Sequence, residues 1–456
     1  MKIDPLSSQV LQLLKQAPQS VLVIGGFAFE AALLGRERTL ELPSLAAAAG
    51  LPAGEGFEAV LWRVEQELPA AEAAGVLRGL LAPRGRLIAA LPRSARREAL
   101  LALFAAGFVY LEEHEVLLPA RVCAIALRRE DFPVRALEGS GEADILELFA
   151  PSFHAERSLE HWRWKYEANP WGRRNVTVAH SPDGELVAHY AGYPLPMAST
   201  AWGKRRELVG MQIGDTMTDP RFRQVGRGPT SLLGRCVRHY YTAFCEDRVA
   251  FNFGFNTGNI QKFSMLFAGA HRIEPVGFWQ RPAAPPPASH GYRTGLVTAP
   301  GPDFDRLFER VANYYGLLVR RDSRYLRWRY LDCPDQPPFV ILAAWRFFRL
   351  VGYAVFRRRG DQLVWADALF HPRHLRAAGD LLRHALALPE HQGVQAIEAW
   401  FPPRPSWFWP YLSELGFSAR PEPHDLSLML VPHAEKDAAD LVRERFYYTM
   451  GDGDLI

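Results

Sequence analysis

Cysteine is scarce. The four present (Cys123, Cys236, Cys245, Cys333) include no C-x-x-C pair, which excludes a disulfide framework and a thiolate zinc site and points to reduced thiols in a reducing compartment. No stretch reaches about 18 uninterrupted apolar residues, and the first residues lack the basic, apolar, small-residue order of an export signal. A cytoplasmic protein with no membrane partner is the expectation. Charge of either sign is nearly balanced, 53 basic against 50 acidic residues for a net +3, too mild to argue for a nucleic-acid partner. His154, His161, His189, His271 and His371 show no ligand spacing, so no metal is expected.

What is present is ordinary for globular protein. The chain has 456 residues, 48% hydrophobic and 23% charged, enough for roughly two to four domains with cores of their own. Most basic residues are arginine, which suits anionic ligands as well as a solvated surface.

Residues 213–240, IGDTMTDPRFRQVGRGPTSLLGRCVRHY, carry the clearest signal. An apolar stretch ending at Met217 reads as a strand, and Thr218, Asp219 and Pro220 as a turn. A helix is expected from about Pro229, because a first-turn proline gives up no hydrogen bond, and Leu232, Leu233, Cys236, Val237 and Tyr240 recur at helical spacing. Between strand and helix lie Arg223, Gln224, Val225, Gly226, Arg227 and Gly228. A strand, a glycine-bearing loop and a helix N-terminus make an anion cradle, with unpaired N–H groups and the helix dipole aimed at a common point. The two glycines would let backbone approach a pyrophosphate, while Arg223 and Arg227 add charge.

The string from Arg223 to Gly228 resembles the R/Q-x-x-G-x-G/A acyl-CoA signature of the GCN5-related N-acetyltransferase superfamily, and the preceding T-x-P-x-x-R is familiar there too. The likeness extends over roughly residues 131–282: a helix at 143–150, strands joined at Pro182-Asp183-Gly184, the cofactor strand and loop, then a strand at 249–255 and a helix at 258–267 closed by Gly269. It implies acetyl-CoA, or another acyl-CoA, as cofactor. The loop from Arg223 to Gly228 would bind it together with the N–H groups of Met217 and Thr218 and the side chains of Asn256 and Asn259. The two asparagines are read equally well as caps of the following helix. Asp215 is the candidate catalytic base, directly or through water; anchoring the turn is its alternative. The tyrosine most relatives use to protonate the thiolate is replaced by Met265.

Two flanking regions complete the organisation. Residues 1–130 alternate strands and helices, with SVLVIGG at 20–26, FEAVLW at 57–62, PRGRLIAALP at 83–92 and an AGF turn before the last strands. The order resembles class I methyltransferases. Val23 replaces the expected acid, and Phe27 and Phe29 fill what should be open space, so a degenerate Rossmann-like domain that does not bind S-adenosylmethionine is expected. After a Pro-rich linker at 283–298, residues 299–456 repeat the acetyltransferase-like order. RDSRYLRWRYLDCP at 321–334 parallels RSLEHWRWKYEANP at 157–170, while the corresponding loop at 370–379 lacks G-x-G. The Trp162-Arg163-Trp164-Lys165-Tyr166 cluster and its copy are read as core in preference to a ligand platform. The fold class expected is therefore α/β: a Rossmann-like domain, then two acetyltransferase-like mixed-sheet domains. The function expected is acyl transfer to a small-molecule amine such as an amino sugar or a surface-polysaccharide precursor. A silent acyl-CoA binder and an N-terminal methyltransferase are the rivals. Oligomeric state is left open.

Overall fold

A computed structural model describes residues 5–14, 18–25, 39–51, 56–64, 69–117, 121–201, 203–287 and 291–454. The architecture is mixed α/β with several mixed sheets. Its contacts divide into two units, one of Met1–Glu156, Val176–Tyr190 and Asp215–Phe244, the other of Arg157–Asn175, Ala191–Gly214 and Cys245–Ile456. The chain passes between them inside two strands, Leu186–Ser199 and Arg206–Thr218.

The first unit is built on a six-stranded sheet ordered Thr39–Leu42, Val21–Ile24, Phe57–Arg63, Leu81–Pro92, Arg121–Arg129 and Phe108–Leu117. The first four strands run parallel, and Arg121–Arg129 is antiparallel to both neighbours. The side-chain period of two decides the layers. Leu22 and Ile24 face a core shared with the helices Leu45–Ala49, Ala70–Leu80 and Arg93–Ala105, while Val21 and Val23 face the helix Pro5–Leu14. Val23 is buried in that second core. Gly25 follows at φ +81 against the backbone of Arg63. Phe27 and Phe29, expected to fill the cofactor space, lie outside the described residues.

The same unit holds the hairpin Val176–His180 with the start of Leu186–Ser199, closed as expected at Gly184, φ +88, whose N–H reaches the Ser181 carbonyl at 3.0 Å. Val134–Ala136 pairs antiparallel with Val176–His180, and the helix Leu232–Tyr240 covers both. On that helix His239 is buried, its Nδ1 2.9 Å from Thr177 Oγ1 and its ring beside Phe104. Burial holds its imidazole down at about 4. The folded state therefore requires neutral His239, whereas the unfolded chain takes up a proton near pH 6.5. Stability from this group is complete above that value and is lost as pH falls toward 4, by about 3 kcal/mol at the limit. Urea unfolding at about pH 7 and about pH 4.5 measures it, and His239→Asn is expected to shrink the difference.

In the second unit strands from early and late in the chain interleave. One sheet runs His271–Pro275, Ser427–Pro432, Phe251–Asn256, then the unit's portions of Arg206–Thr218 and Leu186–Ser199, then Leu317–Val319 and Phe446–Tyr447. The other runs Arg293–Leu296, Val340–Arg346, Arg349–Arg359, Gln362–Phe370, Ala396–Trp400, Phe278–Pro282 and Ser418–Arg420. Ser427–Pro432, late in the chain, sits between two early strands, and Phe278–Pro282, early in the chain, sits between two late ones. Arg293–Leu296, placed in the linker by its Pro-rich surroundings, is an edge strand against Val340–Arg346.

The repeated openings meet face to face. Trp164 and Trp328 stack with centroids 5.6 Å apart, and each indole N–H donates to the other's carbonyl, at 2.6 Å from Trp164 and 3.1 Å from Trp328. The aromatic cluster is core, as its spacing suggested. The cation that follows each of these tryptophans is buried too, and both hold the C-terminal segment: Lys165 Nζ lies 2.7 Å from Asp454 Oδ2, and Arg329 donates to the carbonyls of Gly451 and Gly453 at 2.9 and 2.8 Å.

Candidate functional site

The loop of residues 219–231 belongs wholly to the first unit. Asp219 caps a short 3-10 turn, Pro220–Phe222, its carboxylate accepting the Arg221 N–H at 2.8 Å. The Arg221 guanidinium holds that carboxyl below the usual carboxylate range. Arg223 projects at the surface, Nε 3.3 Å from the Thr218 carbonyl. Val225 N–H closes on the Phe222 carbonyl at 3.0 Å, and Arg227 and Thr230 bond reciprocally. The N–H groups of Gln224, Gly226 and Gly228 find no acceptor among the described residues. They lie on an accessible loop that runs into the N-terminus of Leu232–Tyr240.

Two expectations about this loop need correction. The helix starts at Leu232, not near Pro229. Pro229 lies in a 3-10 turn, Gly228–Thr230, and Ser231 is the true N-cap, its hydroxyl accepting the Gly234 N–H at 3.2 Å. The second concerns Gly226, at φ +70. A β-carbon there would collide with the Thr230 carbonyl, so the close approach that Gly226 permits is one between parts of the loop's own backbone. Gly226 shapes the loop; its free N–H remains available. The turn is further fixed by Arg235, which donates to the Thr230 carbonyl at 2.8 Å and faces Glu130 at 3.9 Å. Burial lowers the Arg235 guanidinium to about 10.

Asp215 is left-handed, φ +48, within an extended strand, a conformation that few residues other than glycine adopt. Its carbonyl accepts the Nδ1–H of buried His189 at 2.7 Å. The backbone is thereby held in a kink, and the half-buried carboxylate sits two residues before Met217, which is buried. Thr218 is half-buried, and its carbonyl receives Arg223. His189 was passed over in the sequence because it lacks metal spacing; nothing in one sequence marks it as the support of Asp215.

In the second unit, parallel pairing of Arg206–Thr218 with Phe251–Asn256 is registered only from Gly210 to Gln212, opposite Phe251 to Phe253. It stops there although Phe251–Asn256 continues to pair with Ser427–Pro432 along its other edge. Gln212 ends the paired run, fully buried, with both amide oxygen and nitrogen unpartnered among the described residues. Such a group is a receptor for water or ligand. Gly214, next along the same face, has no room for a β-carbon beside Asp454 and Lys165. Asn256 and Asn259 do not cap the helix Gly258–Phe267; Thr257 occupies the cap position. Asn256 instead meets Ser264 at 3.4 Å, Asn259 is exposed, and Gly269 follows the actual C-cap, Ala268, at φ +69. Met265 is 41% exposed. The corresponding parallel pair of the second repeat, Gln362 to Trp365 with Ala396 to Ala399, leads into a loop where His371 caps the turn Pro372–His374.

No family model and no curated protein sequence matches the chain. Among solved structures, a GCN5-related N-acetyltransferase from Anabaena variabilis is 14% identical, over 66% of this chain and 72% of that one, at a TM-score of 0.49. A probable N-acyltransferase from Enterococcus faecalis is 12% identical over 67% and 73%, TM-score 0.49. A GCN5-related N-acetyltransferase from Kribbella flavida is 14% identical over 66% and 70%, TM-score 0.48.

Proposed function

We propose that the protein is an acyl-CoA-dependent N-acyltransferase, acetyl-CoA being the simplest donor and a small-molecule amine the acceptor, with an amino sugar the first to try. The observation that carries this reading is the accessible loop with three unpartnered N–H groups, at Gln224, Gly226 and Gly228, leading into a helix N-terminus and bearing Arg223 and Arg227. These residues would hold the diphosphate. The bound cofactor supplies an acyl group activated as a thioester. Asp215, its backbone fixed by His189, is the group proposed to take the proton from the amine.

A second reading, a binder without turnover, is favoured by Met265, which has no proton to give a departing thiolate. We read the N-terminal sheet as a Rossmann-like relic, since apolar, buried Val23 stands where the acidic-x-G-x-G-x-G pattern has its acid. Calorimetry with acetyl-CoA and with S-adenosylmethionine, followed by thiol release over an amine library, tests all three. Binding of acetyl-CoA is expected, and Arg223→Ala should weaken it about tenfold, the worth of one exposed charge-assisted contact. Thiol release with an amine supports the enzyme, and binding without release supports the silent binder. Absence of any heat with acetyl-CoA overturns both.

A further inference from the structure

The hairpin joining Val340–Arg346 to Arg349–Arg359 turns on two residues, because Arg346 and Arg349 pair across it. Both turn residues are phenylalanine and both are left-handed, Phe347 at φ +47 and Phe348 at φ +66. Two-residue hairpin turns with positive φ at both positions favour Asn-Gly, since a β-carbon is crowded there and a bulky ring worse. The aromatic pair gains little burial from the fold in return. Phe347 is 83% exposed and Phe348 97%, the highest values among the large hydrophobic side chains described. A turn that is unfavourable in backbone and in solvation finds its burial outside the chain.

The surroundings define what covers it. Arg346 and Arg349 flank the tip, and the Arg346 guanidinium lies 5.3 Å from the Phe347 ring centre. Arg310 bonds to the Leu350 carbonyl and stands within the field of Arg349 and Arg306. Arg346, Arg310 and Arg373 all act on His374. The carboxylate that bears on Arg310, Asp303, is taken up by Arg306. An aromatic point inside a cationic collar is complementary to a layer that is anionic at its surface and apolar just beneath. A protein partner would have to supply a cavity for a convex tip, whereas a lipid interface needs none.

We propose that the Phe347–Phe348 hairpin docks the protein on anionic membrane surfaces, the two rings entering the interfacial layer while Arg346, Arg349 and the neighbouring arginines meet lipid phosphates. The expectation of no membrane partner rested on the lack of a long apolar run, and the balanced charge of the whole chain conceals this local excess. Two rings and a few arginines give reversible attachment, salt-dependent and dependent on lipid composition.

Co-sedimentation of the full chain with phosphatidylcholine vesicles, with and without phosphatidylglycerol, tests the proposal. Binding is expected to the anionic vesicles, to fall with added salt, and to drop at least about tenfold in Phe347→Asn/Phe348→Gly. That variant installs the preferred turn residues, so its thermal midpoint should hold or rise. Arg346→Gln/Arg349→Gln, which keeps both rings, is expected to lose anionic binding as well. The proposal is overturned if the wild type ignores anionic vesicles, or if the variants bind as it does. It is equally overturned if, without lipid, sedimentation velocity finds an oligomer that the Asn-Gly variant dissolves, which would make the tip a contact between copies.

Discussion

Arg321→Met is expected to lower stability by about 3–5 kcal/mol, read as a shift of the urea midpoint at neutral pH. Arg321 and Asp367 are both 0% exposed, with Nε 2.9 Å from Asp367 Oδ1, and Arg321 Nη2 pairs with Asp452. Thr449 ties the two carboxylates together, its hydroxyl donating to Asp367 at 3.1 Å and its N–H to Asp452 at 2.7 Å. The three charges would not justify their own desolvation, but removing the cation leaves two carboxylates facing each other without water. Burial already raises the Asp452 carboxyl even with Arg321 beside it. Without the guanidinium one carboxyl will take a proton in the folded state, so the variant's folded form binds more protons than its unfolded form. Its deficit against wild type should therefore shrink as pH falls from about 7 toward about 5. Adding Asp452→Asn should recover part of the loss. A deficit that does not change with pH, or a loss below about 1 kcal/mol, would remove the electrostatic account.

A chain divided between residues 282 and 292 is expected to give an early fragment in which only the first unit melts cooperatively and a late fragment that does not melt cooperatively at all. Co-expression should restore the fold. The early fragment keeps Phe278–Pro282, which belongs between Ala396–Trp400 and Ser418–Arg420, and lacks Ser427–Pro432, which belongs between Phe251–Asn256 and His271–Pro275. Each sheet would lose an interior strand and expose paired edges on both sides of the vacancy. Thermal scans of the separate and mixed fragments decide it. A sharp transition in the isolated C-terminal fragment would mean that the interleaved strand is dispensable.

These features were legible to different degrees. The turn at Gly184 and the loop at Gly226 and Gly228 leave a mark because positive φ selects glycine. The paired W-K-Y and W-R-Y openings were visible as a repeat, and their burial follows from helical spacing of large apolar groups. Strand interleaving was invisible for a physical reason. Nothing local in SLMLVP or in FWQRP names a partner, because pairing partners are chosen by contacts far away in sequence. The helix start was misread because Pro229 and Ser231 each carry a start signal, and the hydroxyl cap prevailed. Of the candidate site, the strand, loop and helix order was readable, whereas the kink at Asp215 and its support by His189 depend on a neighbour from another strand. Asp452, among the glycines of an acidic tail, is buried, and nothing in its local sequence names Arg321 as its partner.

The interleaved strands also order events during synthesis. When the ribosome has released His271–Pro275, the slot between it and Phe251–Asn256 has no occupant until Ser427–Pro432 emerges some 150 residues later. At translation rates of about 5–20 residues per second that interval lasts roughly 10–30 s, far longer than hairpins need to form. For that time the nascent polypeptide has two strand edges whose partner has not yet been made, so this sheet closes only near the end of synthesis.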